Sequence, residues 1–317
     1  MLILFYPVYR RVKVIDCYQF EDCNHRSPIL PPDEQGCPQR GYKYRIKYRT
    51  AGDARNAYRE AMSLNSNRRK QRKYLQGSRY IDTFKDNCCI IDVRNYDGMV
   101  DLNIRLESGE TSTLKIRDLS NENEFMTVVK NFNQSSSKTS EARCHAGDFG
   151  KMFAFGLHNL KDGDYISMRK NKDGIRKYSL KAREVLEKYF KSEIMDIIEA
   201  DKKQGIVPSN DMGGTRGISA YALVSRDLIN AAHYDLDTSF GLSVFNEKNI
   251  GAAKGWYFVL PNTIIDGGNV NKAIVIELFD GCTLAWDGRK IFHCTAAKEI
   301  GENNHLYGNY WGGKTYK

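Results

Sequence analysis

The segment NAAHYDLDTSF contains a histidine and an aspartate two positions apart, His233 and Asp235. Alternate residues of a β-strand point to the same face, so a strand in this segment would direct both side chains towards one point. Two histidines and one carboxylate on one face are the ligands of mononuclear Fe(II) in oxygenases. The chain has 6 histidines in 317 residues, and one such pair by itself is a common coincidence. A second histidine on a neighbouring strand would make the pattern specific.

The order of the strands predicts where that second histidine lies. Eight short strand-like segments follow residue 217: ISAYALVS, NAAHYDL, GLSVFN, GWYFVLP, NKAIVIELF, CTLAWDG, KIFHCTA and HLYGNYW. No helical pattern separates them, which favours a jelly-roll or double-stranded β-helix. The second and seventh strands of that fold lie side by side, so His293 would meet His233 and Asp235. We therefore predict an Fe(II) site at these three residues, whereas the alternative for His293 is an ordinary residue at a strand end.

A long amphipathic helix is predicted before the strands, from Ser179 to Gly205. Ser179 is suited to cap its start, and Gly205 followed by Pro208 to end it. Apolar residues recur at spacings of three and four: Ala182, Val185, Leu186, Tyr189, Phe190, Ile194, Ile197 and Ile198. Such a helix would pack against a sheet. The predicted fold class is therefore α+β, with a jelly-roll core braced by helices and a mixed N-terminal elaboration.

Three parts of the chain are predicted. Residues 1–45 form an irregular N-terminal segment rich in turn formers. Residues 46–150 form a mixed α/β elaboration, with a basic helix over residues 50–75 and three strands between residues 88 and 118, separated by NYDG and ESGE as hairpin turns. Residues 151–317 form the double-stranded β-helix domain. The N-terminal segment also contains three cysteines and one histidine that could be a zinc site without the usual C-x2-C spacing, or the cysteines could be free thiols in a reducing compartment. These residues are Cys17, Cys23, His25 and Cys37.

The chain carries a formal net charge of +9, which favours an anionic partner, and nucleic acid is the usual one. The basic run NRRKQRK suits either phosphate binding or a localisation signal, and the alternative is a solvated surface. Its basic residues are Arg68, Arg69, Lys70, Arg72 and Lys73. No apolar run reaches the roughly 18 residues that a membrane span needs, and the N-terminal residues lack the features of a signal peptide. We expect an intracellular protein without a membrane partner, and a nuclear one if the run is a localisation signal.

The predicted co-substrate site is unusual. Oxygenases that use 2-oxoglutarate place an Arg or Lys after the distal histidine to pair with the far carboxylate. The corresponding stretch, Asn303 to Asn309, contains neither residue type. It contains His305 and Tyr307, which alternation places on one face of a strand, and we predict that both line the co-substrate pocket. Asp237 shares a face with His233 and Asp235 and is a third candidate. The alternative to 2-oxoglutarate is a different co-substrate.

A resemblance to a known family adds to these predictions. The segments ISAYALVSRDLINAAHYDLD, GWYFVLPN, IELFDGCTLAWDGRKIFHCT and HLYGNYWGGK resemble the algal and protist branch of the TET/JBP-type Fe(II) dioxygenases. The resemblance covers roughly residues 175 to 314. It implies a double-stranded β-helix, Fe(II) at His233, Asp235 and His293, O2 as a substrate, and 2-oxoglutarate or vitamin C (ascorbate) as co-substrate. It also implies a methylated base in nucleic acid as the oxidised substrate.

Three functions therefore remain open at this point. The favoured one is an Fe(II)-dependent dioxygenase that oxidises or modifies a C–H group of a methylated base in nucleic acid. The second is a dioxygenase that acts on a protein side chain or a small metabolite. The third is a non-catalytic cupin-like binding module.

Overall fold

The computed structural model of the protein describes residues 12–20, 88–136, 149–159, 164–166, 172–230, 232–235, 237–247, 255–266, 273–297 and 305–313. These residues form a mixed α+β fold of two β-sheets and two long helices, consistent with a jelly-roll core. The larger sheet contains, in spatial order, β10 (Thr263–Ile265), β1 (Lys13–Gln19), β3 (Met99–Leu106), β4 (Thr111–Asp118), β12 (Cys282–Trp286), β8 (Gly241–Glu247), β14 (Leu306–Gly312), β7 (Tyr221–Ile229), β5 (Phe149–Asn159) and β6 (Asp164–Ile166). The smaller sheet contains β13 (Cys294–Ala297), β9 (Trp256–Pro261), β11 (Ala273–Leu278) and β2 (Cys88–Ile91). The helices are α1 (Asn123–Ser136) and α2 (Lys172–Lys203), and short 3-10 turns lie at Val93–Tyr96, Asn210–Met212 and Gly214–Arg216.

From β8 onwards, the C-terminal strands alternate between the two sheets along the chain. β7, β8, β12 and β14 belong to the larger sheet, whereas β9, β11 and β13 belong to the smaller one. All pairings among these strands are antiparallel. Because each crossing leads from one sheet to the other, residues distant in sequence face each other across the interior. This arrangement positions the candidate site.

The larger sheet has two buried faces with different partners. Its inner face packs on the smaller sheet through residues such as Leu284, Phe258 and Ile276, each no more than 1 % exposed. Its outer face packs on the two helices. The apolar stripe predicted for α2 is the contact surface, and Val185, Phe190 and other residues of the stripe are buried in this cluster. The predicted bracing helix is thereby confirmed.

Some predicted boundaries differ from the structure. The bracing helix begins at Lys172 rather than Ser179, and Ser179 is a buried residue within it, because the apolar pattern extends back through Ile175 and Tyr178. Gly205 does follow the helix and adopts a φ of 72°. That left-handed conformation is the usual one for a glycine after a helix end.

The N-terminal half also departs from the prediction. Lys13–Gln19, expected to be irregular, form strand β1 between β3 and β10. The predicted NYDG hairpin is wrong, because β2 pairs with β11 in the smaller sheet whereas β3 lies in the larger one. The ESGE hairpin is confirmed by the antiparallel pairing of β3 with β4. Both β3 and β4 lie in the same sheet as β12, and the division of the chain at residue 150 stays a prediction.

Several predicted features lie outside the described residues. They are the helix over residues 50–75, the basic run Arg68 to Lys73, and the residues Cys23, His25 and Cys37. Cys17 is described and is 1 % exposed. Burial raises the pKa of its thiol to about 12, which favours the neutral form. None of the helices in the described ranges is both long and apolar enough to span a bilayer.

Candidate metal centre

His233 and His293 face each other as a bridged backbone pair. The N–H of His233 donates to the carbonyl of His293 at 2.9 Å, and the N–H of His293 donates to the carbonyl of His233 at 3.1 Å. The predicted strand around His233 is thus reduced to a single antiparallel bridge. This bridge still places the two imidazole rings side by side, with their centroids 4.7 Å apart.

Asp235 completes a group of three potential ligands. Its Oδ1 lies 3.2 Å from Nε2 of His233, and its Oδ2 lies 3.4 Å from Nε2 of His293. The potential ligand atoms of the three residues all lie within 4.8 Å of one another. The structure therefore brings together the three residues that the sequence nominated. Asp235 and His233 are each 21 % exposed and His293 only 4 %, so one side of the group is open to solvent.

The ring of His293 is fixed from several sides. Its Nδ1 lies 2.9 Å from the carbonyl of Ile291. A carbonyl can only accept, so Nδ1 carries the proton and Nε2 keeps a lone pair towards Asp235. Phe258 stacks on the ring at 5.2 Å, and Trp286 meets it edge-on at 5.3 Å. Burial lowers the pKa of His293 to about 4, which keeps the imidazole neutral and able to bind a metal.

The carboxyl group of Asp235 is held in its charged form. Burial by itself would raise its pKa, but the neighbouring His293 and His233 outweigh that effect and lower the pKa below the usual value. Trp286 also acts in this direction, although its indole Nε1 has no hydrogen-bond partner of normal geometry within the described residues. An ionised carboxylate beside two imidazole rings is a ready site for a cation.

A tight turn after β12 shapes the other side of Asp235. The N–H of Asp235 donates to the carbonyl of Gly288 at 2.8 Å. A Cβ built on Gly288 would lie 2.0 Å from Oδ2 of Asp235, so the site tolerates no side chain there. In the same turn Arg289 pairs with Asp287 through Nε at 2.7 Å, and its Nη1 donates to the carbonyl of Thr238 at 2.9 Å. Arg289 thereby links this turn to the segment that follows Asp235.

Tyr310 was not among the predicted ligand or co-substrate residues, yet it lies beside the triad. Its ring packs against Trp286 at 5.9 Å on the inner face of β14. Its hydroxyl donates to Oδ2 of Asp237. Burial raises the pKa of Tyr310 well above its usual value, and Asp237 and Asp235 raise it further, so the hydroxyl stays protonated as a donor. Asp237 therefore lies at the edge of the site with its carboxylate oriented by Tyr310.

The structure does not place Tyr307 in the pocket predicted for it. Tyr307 is buried with Trp311 and Tyr178 in the cluster between the larger sheet and the helices. It therefore occupies the face of β14 opposite to Tyr310, because residues three apart on a strand point in opposite directions. The alternation of side chains along β14 correctly predicted which residues share a face. It did not indicate which of the two faces points to the inside of the fold.

His305 immediately precedes β14, about 16 Å from Tyr310 at the usual rise per residue of a strand. Its Nδ1 lies 2.8 Å from Oδ2 of Asp227. An imidazole already held by one carboxylate is a poor partner for a second one. This contact and the distance argue against the predicted pairing of His305 with a co-substrate carboxylate.

The inner faces of the neighbouring strands supply small and hydroxyl-bearing residues. β7 contributes Ser225, β8 contributes Ser243, and β14 contributes Gly308. Gly308 has no room for a side chain, because its Cβ would lie 2.8 Å from Oγ of Ser225. None of the inward positions that the structure describes on these three strands carries Arg or Lys. Lys298 and Lys314 lie outside the described residues.

The donor set fits non-haem iron. Two imidazole nitrogens and one carboxylate oxygen are the ligands typical of Fe(II) sites that keep open coordination positions. Zinc sites with the same residue types also exist, so these residues are suited to a divalent metal ion without identifying the metal.

Comparisons with known proteins give limited information. No known family model matches the sequence, and no curated protein matches it. Among solved structures, NgTET1 in complex with 5mC DNA is similar at 14 % identity, with 72 % of this chain and 82 % of that chain covered and a TM-score of 0.41. A prolyl-4-hydroxylase from Pseudomonas putida is similar at 9 % identity, with 60 % and 86 % covered and a TM-score of 0.30. Values this low do not transfer a function, and neither structure bears on the algal and protist branch.

Proposed function

We propose that the protein is a mononuclear Fe(II)-dependent dioxygenase on a double-stranded β-helix, with the metal held by His233, Asp235 and His293. One observation carries the proposal, namely the convergence of two imidazoles and one carboxylate within 4.8 Å on two bridged segments of the chain. The alternation of strands between two sheets supports the fold assignment, because it is the topology of the double-stranded β-helix. The third open function, a metal-free binding module, gives no reason for this convergence.

Iron bound at this site would supply the activation of O2 for attack on a substrate C–H bond. The residues of the chain have separate tasks. Asp235 contributes the negative charge that offsets the metal charge, and the Nδ1–H contact with Ile291 fixes the donor nitrogen of His293. Phe258 and Trp286 exclude water from the back of His293. The more exposed side, at His233 and Asp235, is where co-substrate and substrate would enter.

For the co-substrate, the described residues favour a ligand with a neutral tail, such as ascorbate, over 2-oxoglutarate. A buried carboxylate without a cationic partner costs several kcal/mol. The described inward positions on β7, β8 and β14 offer hydroxyl groups and no cation. We infer that Asp237, oriented by Tyr310, accepts hydrogen bonds from hydroxyl groups of the co-substrate. Use of 2-oxoglutarate would need a cation from elsewhere in the chain, such as Lys298 or Lys314.

For the oxidised substrate, we favour a methylated base in nucleic acid. The net charge of +9, the basic run Arg68 to Lys73 and the family resemblance support this choice. A protein side chain or small metabolite remains the rival substrate class. Retention on immobilised DNA at increasing salt separates these two classes, since binding to phosphates weakens steeply with salt.

The metal assignment is tested by measuring iron stoichiometry in anaerobically loaded protein. We expect one Fe(II) per chain in the wild type, essentially none in His293→Ala, and one in the control His305→Ala. Circular dichroism of each variant verifies the fold. Stoichiometric iron in His293→Ala, at a wild-type affinity, would rule out the assignment.

The reaction is tested by O2 consumption of the iron-loaded protein with ascorbate and 2-oxoglutarate offered separately. We expect consumption with ascorbate that depends on His293, and none with 2-oxoglutarate alone. Faster consumption with 2-oxoglutarate would reverse the choice of co-substrate. No consumption with either, in protein that binds iron, would favour a non-catalytic module.

A further inference from the structure

The backbone hydrogen bonds between β13 and β9 are interrupted next to His293. β13 pairs antiparallel with β9, and extending their register two residues before Cys294 places Phe292 opposite Pro261. The backbone groups of His293 bond to His233, so those of the adjacent Phe292 point the other way, towards β9. Proline has no N–H and cannot donate to the carbonyl of Phe292. The strand that carries the candidate ligand therefore loses its normal partner one residue before that ligand.

The side chain of Gln19 fills this gap from β1. Its Nε2 donates to the carbonyl of Phe292 at 2.9 Å, and its Oε1 accepts from the N–H of Phe292 at 2.9 Å. The same Nε2 lies 3.2 Å from the carbonyl of Pro261 and 3.0 Å from Oγ1 of Thr263. The side-chain amide of Gln19 thus provides both hydrogen bonds that the backbone of Phe292 would otherwise form with a neighbouring strand. Gln19 is only 2 % exposed, so water cannot easily take over these bonds.

We propose that Gln19 is a positioning residue of the metal centre, which fixes the backbone that carries His293. The inference rests on the proposed function, since it requires His293 to be a metal ligand. His293 is held on one side by its bridge to His233 and, through Phe292, on the other side by Gln19. If the amide is lost, the backbone at Phe292 has two unpaired polar groups in a buried place and shifts to find partners. The donor nitrogen of His293 moves with that backbone.

The test is a titration of the full chain with Co²⁺ alone, followed by the visible absorption bands of the bound ion. The variant Gln19→Leu keeps the volume and removes both hydrogen bonds. Loss of a residue that orients a metal ligand typically weakens binding by roughly 10- to 100-fold, and we expect a loss in this range with a shifted absorption spectrum. Asn133→Leu is the matched control, because Asn133 is a buried amide, 1 % exposed, that donates to Asn246 at a distance from the triad. It should lower the melting temperature yet bind Co²⁺ with wild-type affinity and spectrum.

The outcomes separate this inference from the proposed function. One Co²⁺ per wild-type chain, with none in His293→Ala, upholds the metal site. A Gln19→Leu affinity within about twofold of wild type would then overturn only the role of Gln19. Equal losses in Gln19→Leu and Asn133→Leu would overturn it too, because general destabilisation would explain both. No binding by the wild type would remove both proposals. If Gln19→Leu does not fold, Gln19→Asn, whose amide is one methylene too short to span both bonds, decides by the same criteria.

Discussion

Gly288 and Asp235 are in direct steric contact across the site. A Cβ on Gly288 would meet the carboxylate of Asp235 at 2.0 Å, and the Cγ of that carboxyl at 2.7 Å. The φ of Gly288 lies outside the left-handed region, so the need for glycine is purely steric. Gly288 therefore contributes to the site because it has no side chain.

Gly288→Ala is expected to weaken metal binding by roughly tenfold or more, because the added methyl group displaces the Asp235 carboxylate. The measurement is the Fe(II) dissociation constant under anaerobic conditions. Lys290→Ala in the same turn is the control, since its Nζ pairs with Glu110 at 2.8 Å and not with the triad. An alanine variant that binds iron like the wild type would mean that Asp235 is free to move without loss.

Asp237→Asn is expected to raise the apparent KM for the reducing co-substrate by about 10- to 100-fold, the range for loss of a charge-assisted hydrogen bond. The iron affinity should stay near the wild-type value, because Asp237 is not one of the three proposed ligands. Steady-state O2 consumption at fixed iron measures the KM, and an anaerobic titration with Fe(II) measures the iron affinity. Asp280→Asn is the control, since that carboxylate lies beside Glu247, at the opposite end of β8 from Gly241. A raised KM in both variants would remove the specific role of Asp237.

Asp201 gives the protein a pH-dependent stability. Burial raises the pKa of Asp201 to about 6 from the value of 3.8 expected in the unfolded chain, although the N–H of Ala220 donates to Oδ2 at 2.7 Å. A carboxyl group with a raised folded-state pKa destabilises the protein as pH rises through this interval. Asp201→Asn should therefore increase the free energy of unfolding by up to about 3 kcal/mol at pH 7 and by little at pH 4.

Chemical denaturation of Asp201→Asn and wild type at both pH values measures this difference. Glu199→Gln, on the same helix, controls for the removal of a negative charge from α2. An equal gain at pH 4 and pH 7 would show that ionisation of Asp201 is not the cause.

The basic run Arg68 to Lys73 is expected to contribute to nucleic-acid affinity. Five charges would neutralise up to five phosphates, so changing all five to Ser should reduce the slope of log K against log salt by up to about 4.5. Fluorescence anisotropy with a short duplex measures this slope. Changing the exposed Lys188 and Lys191 on α2 is the control. An unchanged slope in the serine variant would identify the run as a solvated surface.

Local patterns in the sequence were sufficient to predict the three candidate ligands, but not the residues that hold these ligands in place. His233, Asp235 and His293 could be predicted because strand periodicity and the order of eight strands bring them together. Gln19 could not, because its partner Phe292 lies 273 positions later and no local pattern encodes that contact. Strand β1 was missed for the same reason, since its neighbours β3 and β10 are remote in sequence. Tyr307 was assigned to the pocket instead of Tyr310 because periodicity alone does not say which face of a strand is inside.

The contact between Gln19 and Phe292 has a consequence for biosynthesis. A ribosome makes β1 first, yet the partners of Gln19 emerge 242 and 273 residues later. During this interval the buried amide of Gln19 has none of its final partners, and contacts of such long sequence separation form slowly. A nascent chain that ends before His293 therefore cannot hold a metal ion at this site. Binding of a metal ion at this site would then require that His293 has already been synthesised.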